Sequence, residues 1–204
     1  FFEEYVGPED HWLPPDHYQE FPRGVVAHRT SPTNVGLYLL TALAAYDFGY
    51  IGLLNLSLRL NATFDTLAKL ERYRGHFLNW IDTRSLQHLS PRYVSTVDSG
   101  NLAGCLLALK QACLSMQNEL VWRPIRWQGL LDTLSLFDEG VESLSSHANV
   151  RDVKAQLFRI QSAIQNRTET AYEDPGLILY LSEEALPELE RLLLVLFEDG
   201  GDLF

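Results

Sequence analysis

Cysteine and long apolar runs are scarce in this sequence. The chain of 204 residues contains two cysteines, Cys105 and Cys113, eight positions apart on a predicted helix. At about 1.5 Å of rise per residue they lie about 12 Å apart, too far to form a disulfide with each other. We therefore expect two small, buried thiols in a reducing compartment. No run of about 18 apolar residues occurs, so we expect a soluble segment without a transmembrane span.

Positive charge is scarce as well. The sequence has 16 Lys and Arg against 27 Asp and Glu, which gives a formal net charge of -11. A nucleic-acid surface requires clustered Lys and Arg, and no such cluster occurs. The composition therefore argues against a nucleic-acid partner and favours a neutral ligand.

Sequence motifs typical of metal and cofactor sites are absent. The six histidines are scattered, and none forms a His-x-x-x-His pair. There is no glycine-rich phosphate loop, no Gly-x-Ser-x-Gly elbow and no cysteine-centred nucleophile motif. We predict no metal and no cofactor for this chain.

Apolar residues recur at helical spacing through most of the chain. Residues 1–30 are rich in proline and aromatic residues, which predicts an extended lead-in. Residues 31–204 are predicted to be a helical domain fragment, in which Ser31 caps the first helix and Pro32 lies in its first turn. Helices are predicted at residues 35–48, 53–73, 101–117, 124–146, 150–166 and 182–196.

The longest connection between predicted helices covers residues 75–100. Aromatic and β-branched residues lie on either side of a turn-prone middle, which predicts a small hairpin with strands at 77–80 and 93–96. The fold class is then all-α, an antiparallel array of α/α hairpins. A closed toroid needs about twice as many helices, so the chain supplies the first half of an (α/α)6 toroid or closes on itself as a compact bundle.

Polar and aromatic side chains cluster beside the predicted helix ends. Proteins bind sugars with side chains of these two kinds. The C–H face of a pyranose packs on an aromatic ring, and its hydroxyls form paired hydrogen bonds with Asp, Asn or Arg. Trp80 and Tyr93 are the candidate platforms. Both rings would equally suit a core position.

The polar residues also admit more than one role. Ser31 and Asp98 would serve as helix caps, and Arg29 would form an ion pair with Asp16 or Asp98. Asp82 and Asp98 are candidates for a catalytic pair, which requires carboxylates about 5–9.5 Å apart. Sequence distance leaves these alternatives open.

Four motifs, in this order, resemble the central region of cyclic β-1,2-glucan synthases. They are Leu13–Glu20 (LPPDHYQE), Arg29–Leu37 (RTSPTNVGL), Gly75–Thr83 (GHFLNWIDT) and Tyr93–Gly104 (YVSTVDSGNLAG). The resemblance extends over residues 12–117. Two positions depart from the family's usual residues, since Ile81 stands where Tyr is usual and His17 where Asn is usual. If Ile81 faces the sugar, one polar contact is lost.

The resemblance implies a place within a large synthase of the bacterial inner membrane. That family combines a glycosyltransferase part that uses UDP-glucose, a middle transglycosylating part with an (α/α)6 barrel, and a phosphorylase-like part. This chain resembles the start of the middle part, on the cytoplasmic side of the membrane. By this likeness a glucan groove would be lined by Arg29, Asn34, Asn79, Trp80, Asp82, Asp98 and Asn101.

The function implied is a contribution to glucan transglycosylation and ring closure. The partners would be a β-1,2-glucan chain and the remaining domains of the synthase, with UDP-glucose needed only by its transferase part. The family's catalytic glutamates lie in a later segment, so this chain is expected to lack them. The alternatives are a structural spacer between catalytic domains and a self-sufficient glycoside hydrolase or phosphorylase-like domain that uses Asp82 and Asp98.

Overall fold

The chain divides into two compact units, each with its own apolar core. The structure is a computed structural model that describes residues 1–120, 123–142, 149–167 and 174–199. The first unit combines Phe1–Asp47 with Ile51–Glu119, and the second combines Phe48–Tyr50 with Leu120–Phe204.

Two α-helices of the first unit, α2 and α4, begin at a serine cap. The α-helices of this unit are α1 (Phe2–Tyr5), α2 (Pro32–Asp47), α3 (Leu53–Lys69) and α4 (Thr96–Met116). Ser31 Oγ accepts a hydrogen bond from the amide of Asn34 at 3.3 Å, so Ser31 caps α2 as predicted. Ser95 Oγ accepts from the amide of Asp98 at 3.1 Å and caps α4. The starts of α2 and α4 therefore have the same local cause, although the start of α4 lies five residues before the predicted residue 101.

The first unit also contains short antiparallel strands. β1 (Tyr18–Gln19) pairs with β2 (Val25–Val26). A three-stranded sheet has β6 at its centre and consists of β3 (Arg29–Thr30), β6 (Asn79–Asp82) and β7 (His88–Tyr93). β4 (Arg72–Tyr73) pairs with β5 (His76–Phe77). The predicted hairpin within residues 75–100 is present as β6 and β7.

Two predicted boundaries in this region are wrong. The segment 93–96, predicted as a strand, contains the end of β7, the Ser95 cap and the first residue of α4. α3 ends at Lys69 instead of residue 73, because Leu70 turns to an extended conformation and its side chain enters the core. Both errors arise where a cap or a buried side chain overrides a longer apolar pattern.

The N-terminal 30 residues pack as part of the first unit. They contain α1, a 3-10 turn at Pro8–Asp10 and the strands β1, β2 and β3. Leu13 is fully buried, and β3 hydrogen-bonds to β6. The boundary at residue 30 between a lead-in and a helical fragment stays a prediction.

α2 packs on both α3 and α4. Tyr46, near the end of α2, clusters with Leu56 near the start of α3. Val35 and Leu39, near the start of α2, share a core with Leu67 near the end of α3. α2 and α3 therefore run antiparallel, as a helical hairpin does.

α4 runs parallel to α2 and approaches it closely. Asn101 Nδ2, in the second turn of α4, donates to Thr33 Oγ1, in the first turn of α2, at 3.0 Å. Further along, a Cβ added to Gly36 would lie 2.9 Å from Cys105 Sγ. Contacts thus advance in the same direction along both helices, and the missing side chain of Gly36 allows the close approach.

The second unit is helical throughout the part that the structure describes. It contains α5 (Ile125–Glu142), α6 (Val150–Gln165), α7 (Pro175–Tyr180), a π-helical turn (Leu181–Ala185) and α8 (Leu186–Asp199). Asp174 Oδ1 accepts from the amide of Leu177 at 3.0 Å and caps α7. The predicted start of the last helix at residue 182 is wrong, because helical structure already begins at Pro175. The predicted end of a helix at residue 146 lies outside the described residues.

α6 supplies the centre of the second core. Val153, Leu157, Ile160 and Ile164 are fully buried, at the spacing of one helix face. Gln156 is also buried, and its Nε2 donates to the carbonyl of Ala185 at 2.9 Å. The amide therefore has a partner at the end of the π-helical turn, as a buried polar group requires.

The predicted all-α class is confirmed in outline, since helices dominate and the sheets are small. One prediction about the thiols is wrong, because Cys113 is exposed on α4 and Cys105 is half-buried. None of the described helices combines the length and the apolar character that crossing a bilayer would require.

Candidate functional site

The central strand β6 sorts the motif residues onto two faces. Asn79 and Ile81 point inward, whereas Trp80 and Asp82 alternate with them and are less buried. Arg29 on β3 lies directly opposite Asp82. Ile81 is only 5% exposed and belongs to the core, so this departure from the family pattern removes no contact from the outward face.

Arg29 is held between a carboxylate and an aromatic ring. Its Nε and Nη2 donate to Asp16 Oδ2 at 3.2 and 3.0 Å. Its guanidinium carbon lies 5.0 Å from the ring centroid of Trp80, a cation–π distance. The predicted ion pair of Arg29 is thus formed with Asp16. The Arg29 side chain remains 45% exposed, so its guanidinium is accessible to a ligand.

Asp16 joins the N-terminal segment to α2 and β3. Its Oδ1 accepts from Asn34 Nδ2 at 3.1 Å, and its Oδ2 also lies 3.0 Å from His17 Nδ1. Burial acts to raise the pKa of Asp16, but the hydrogen bonds from Asn34, His17 and Arg29 outweigh it and lower that pKa. Asp16 is therefore a fixed negative charge that orients two of the predicted groove residues, a role that residue spacing did not reveal.

Asp98 lies at the start of α4, next to the start of α2. Asn79 Nδ2 donates to Asp98 Oδ2 at 3.2 Å and so ties β6 to this helix end. Burial acts to raise the pKa of Asp98, but side-chain hydrogen bonds outweigh it and lower the pKa. The donors are Ser95, Thr33, Asn79 and Ser31. Asp98 is thus a shared anchor, and the cap of α4 is Ser95.

Asp82 is occupied by the turn that follows β6. Its Oδ1 accepts from the amide of Arg84 at 3.1 Å and from the amide and hydroxyl of Ser85 at 2.8 and 2.9 Å. The backbone hydrogen bond from Ser85 is the largest influence on the pKa of Asp82, which is lowered. A general acid for glycosidic chemistry requires a raised pKa. The catalytic pair of Asp82 and Asp98 stays a prediction, and neither carboxyl has the raised pKa of a general acid.

The other predicted groove residues lie on different elements. Tyr93 is at the end of β7, in register with Asn79, and is 42% exposed, so it is not a core residue. Asn101 is on the exposed side of α4, where it donates to Thr33. Asn79 is only 1% exposed, so it acts from beneath the surface.

A second polar network, with Asp10 and Thr83 buried at its centre, lies at the far end of β6. His28 Nδ1 lies 2.8 Å from Asp10 Oδ1, and Thr83 Oγ1 donates to the same carboxylate oxygen. His11 Nδ1 hydrogen-bonds to the carbonyl of Thr83 at 2.9 Å. Sequence analysis missed this network because its members are up to 73 positions apart and form no motif.

No family model matches this chain. The chain is 50% identical over 113 residues to the cyclic β-(1,2)-glucan synthase NdvB of Rhizobium meliloti (strain 1021). This confirms the resemblance to cyclic β-1,2-glucan synthases. The match covers 55% of this chain and 4% of that synthase, so the chain corresponds to a small segment of its relative.

Replacing Asp98 by Asn tests the anchor at the helix ends. Asp98→Asn should lower the free energy of unfolding by about 1–3 kcal/mol near pH 7, because hydrogen bonds to a charged group are lost. Since the folded-state pKa of Asp98 is lowered, this contribution is full above the ordinary carboxyl pKa of about 3.9 and disappears as the pH falls through the folded-state value.

Urea unfolding at a series of pH values measures this difference. The control is Asp65→Asn on the exposed face of α3, which should change stability by less than about 0.5 kcal/mol at every pH. A deficit in Asp98→Asn that persists undiminished at the lowest pH would contradict the account.

Proposed function

We propose that this chain is a segment of a cyclic β-1,2-glucan synthase that presents a glucan-binding surface in the transglycosylation and ring-closing region. The observation that carries the proposal is the Arg29–Trp80 stack, oriented by Asp16 on the outward face of the central sheet. The similarity to NdvB supports the glucan as the ligand.

The chemistry of this face suits a glucose chain. The indole of Trp80 is half-buried and can pack against the C–H face of a pyranose. Arg29 directs two of its nitrogens to Asp16, which leaves the rest of an exposed, planar donor for sugar hydroxyls. Because glucan is uncharged, the net charge of -11 does not oppose its binding.

The spacer interpretation has one observation in its favour. The carboxylates of Asp16, Asp82 and Asp98 all accept hydrogen bonds within the chain. These carboxylates would then lock loops and helix ends without any ligand. Binding measurements separate this role from a glucan surface.

Titration calorimetry with linear β-1,2-gluco-oligosaccharides tests the proposal. We expect saturable binding that Trp80→Leu weakens about tenfold, since aromatic stacking contributes about 0.5–1.5 kcal/mol beyond area burial. An α-1,4-gluco-oligosaccharide is the control ligand. The control variant is Phe158→Leu, which removes an aromatic ring that is 69% exposed on α6.

Each other outcome counts against the glucan surface. A folded chain that binds no glucan supports the spacer. Equal binding of the α-1,4 ligand would show that the surface does not select β-1,2-glucan. Equal weakening of binding in Trp80→Leu and Phe158→Leu would show that Trp80 has no specific role. Release of glucose or shortened oligosaccharides by the chain alone supports a self-sufficient hydrolase.

We further propose that the first unit is part of an (α/α)6 toroid. α2 and α4 run parallel, as alternate helices of such an array do, and their first turns match. Ser31 and Ser95 are the caps, and glycine follows five residues later in both helices, at Gly36 and Gly100. Gly36 receives α4, whereas a Cβ on Gly100 would meet nothing within 4 Å. By this equivalence, Gly100 is where the next parallel helix of the synthase packs.

Substitution of the two glycines tests the array. Gly36→Ala should destabilise the chain by about 1–3 kcal/mol, because overpacking outweighs the better helix propensity of alanine. Gly100→Leu should leave the isolated chain as stable or raise its stability by up to about 1 kcal/mol. In a full-length synthase that contains this segment, Gly100→Leu should reduce folded yield and ring formation. An unaffected synthase would contradict the array, and Lys110→Leu on exposed α4 is the control.

A further inference from the structure

A cleft of about 450 Å³ opens between α3, α4 and the β4–β5 hairpin in the first unit. Its size falls in the range of small-molecule sites, about 300–1,000 Å³. None of the predicted glucan residues lines it. The lining residues are Pro32, Phe64, Leu67, Ala68, Arg72, Gly75, His76, Phe77, Ser99, Leu102, Ala103 and Leu106.

The walls of this cleft are apolar. Phe64 and Leu67 form the α3 side, and Leu102 and Leu106 form the α4 side. A pyranose requires several paired hydrogen bonds, and these walls provide none. They fit a hydrocarbon or aryl body, which gains free energy by leaving water.

The rim of the cleft carries arginine although the chain is acidic. Arg72 lines the cleft, and Arg74 lies in the turn of the same hairpin. The Arg72 guanidinium lies 4.7 Å from the Phe77 ring centroid, and its Nη2 donates to the carbonyl of Leu67, so the cation is held at the opening. The neighbouring Glu71 is engaged by Arg92. The rim therefore favours an anionic group.

We propose that this cleft binds a small amphiphile with an apolar body and a carboxylate end, such as a free medium-chain fatty acid. The body lies between α3 and α4, and the carboxylate meets Arg72. This inference is independent of the proposed glucan surface, because it uses different residues and a different ligand.

Titration calorimetry with decanoate below its micelle concentration tests the site. We expect saturable binding that is at least tenfold weaker in Ala103→Trp, which fills the cleft. The matched control is Ala108→Trp, an exposed alanine on the same helix that does not line the cleft, and it should bind as the parent chain does. Arg72→Gln should weaken decanoate binding about three- to tenfold and leave decyl maltoside unaffected.

Three results would overturn the proposal. The first is equal binding of decyltrimethylammonium, which excludes recognition of an anion. The second is equal loss in both tryptophan variants, or no saturable binding, which makes the cleft a packing surface. The third is sedimentation with anionic phospholipid vesicles that Ala103→Trp abolishes, because this result assigns the cleft to a membrane lipid.

Discussion

The carboxylate of Asp98 lies where the N-terminal ends of two parallel helices meet. Each helix N-terminus carries about half a positive charge, so two such ends in contact repel each other. Asp98 opposes this repulsion, and the hydroxyls of Ser31 and Thr33 at the α2 start help to lower its pKa, as does Ser95 of its own helix. We expect the close approach of α4 to α2 at Gly36 to depend on this anchor.

The same anchor decides which residues of β6 reach the surface. Asn79 donates to Asp98 and therefore points inward, so its neighbour Trp80 turns outward. Across the sheet, Arg29 lies on the outward face and stacks on Trp80. Asp16 then fixes Arg29 from the N-terminal segment. The outward polar face is thus a consequence of how two helix ends are joined.

Local signals in the sequence predicted much of this fold. The cap at Ser31, the helical spacing of α2 and the four motifs were all readable, and the resemblance that they carry is confirmed. The start of α4 was also encoded, since Ser95 precedes Asp98 by three residues, a pattern typical of a helix cap. Its β-branched neighbours instead favoured a strand. Such competition between local signals is settled by packing.

Contacts between distant residues were beyond the reach of sequence patterns. The inward face of Ile81 depends on the register of β6 with β3, and a shift of one residue would reverse it. The bond between Thr83 and Asp10 joins positions 73 residues apart. Asp16 was recognised only as one possible partner of Arg29. No periodicity indicates that one carboxylate holds two groove residues.

Intermolecular NOEs between a linear β-1,2-gluco-oligosaccharide and the indole protons of Trp80 would show whether the Arg29–Trp80 face binds glucan. We predict NOEs from the axial C–H protons of one glucose unit to Trp80, with accompanying shifts of the Arg29 guanidinium signals. Binding whose NOEs lead only to residues outside this face would contradict it.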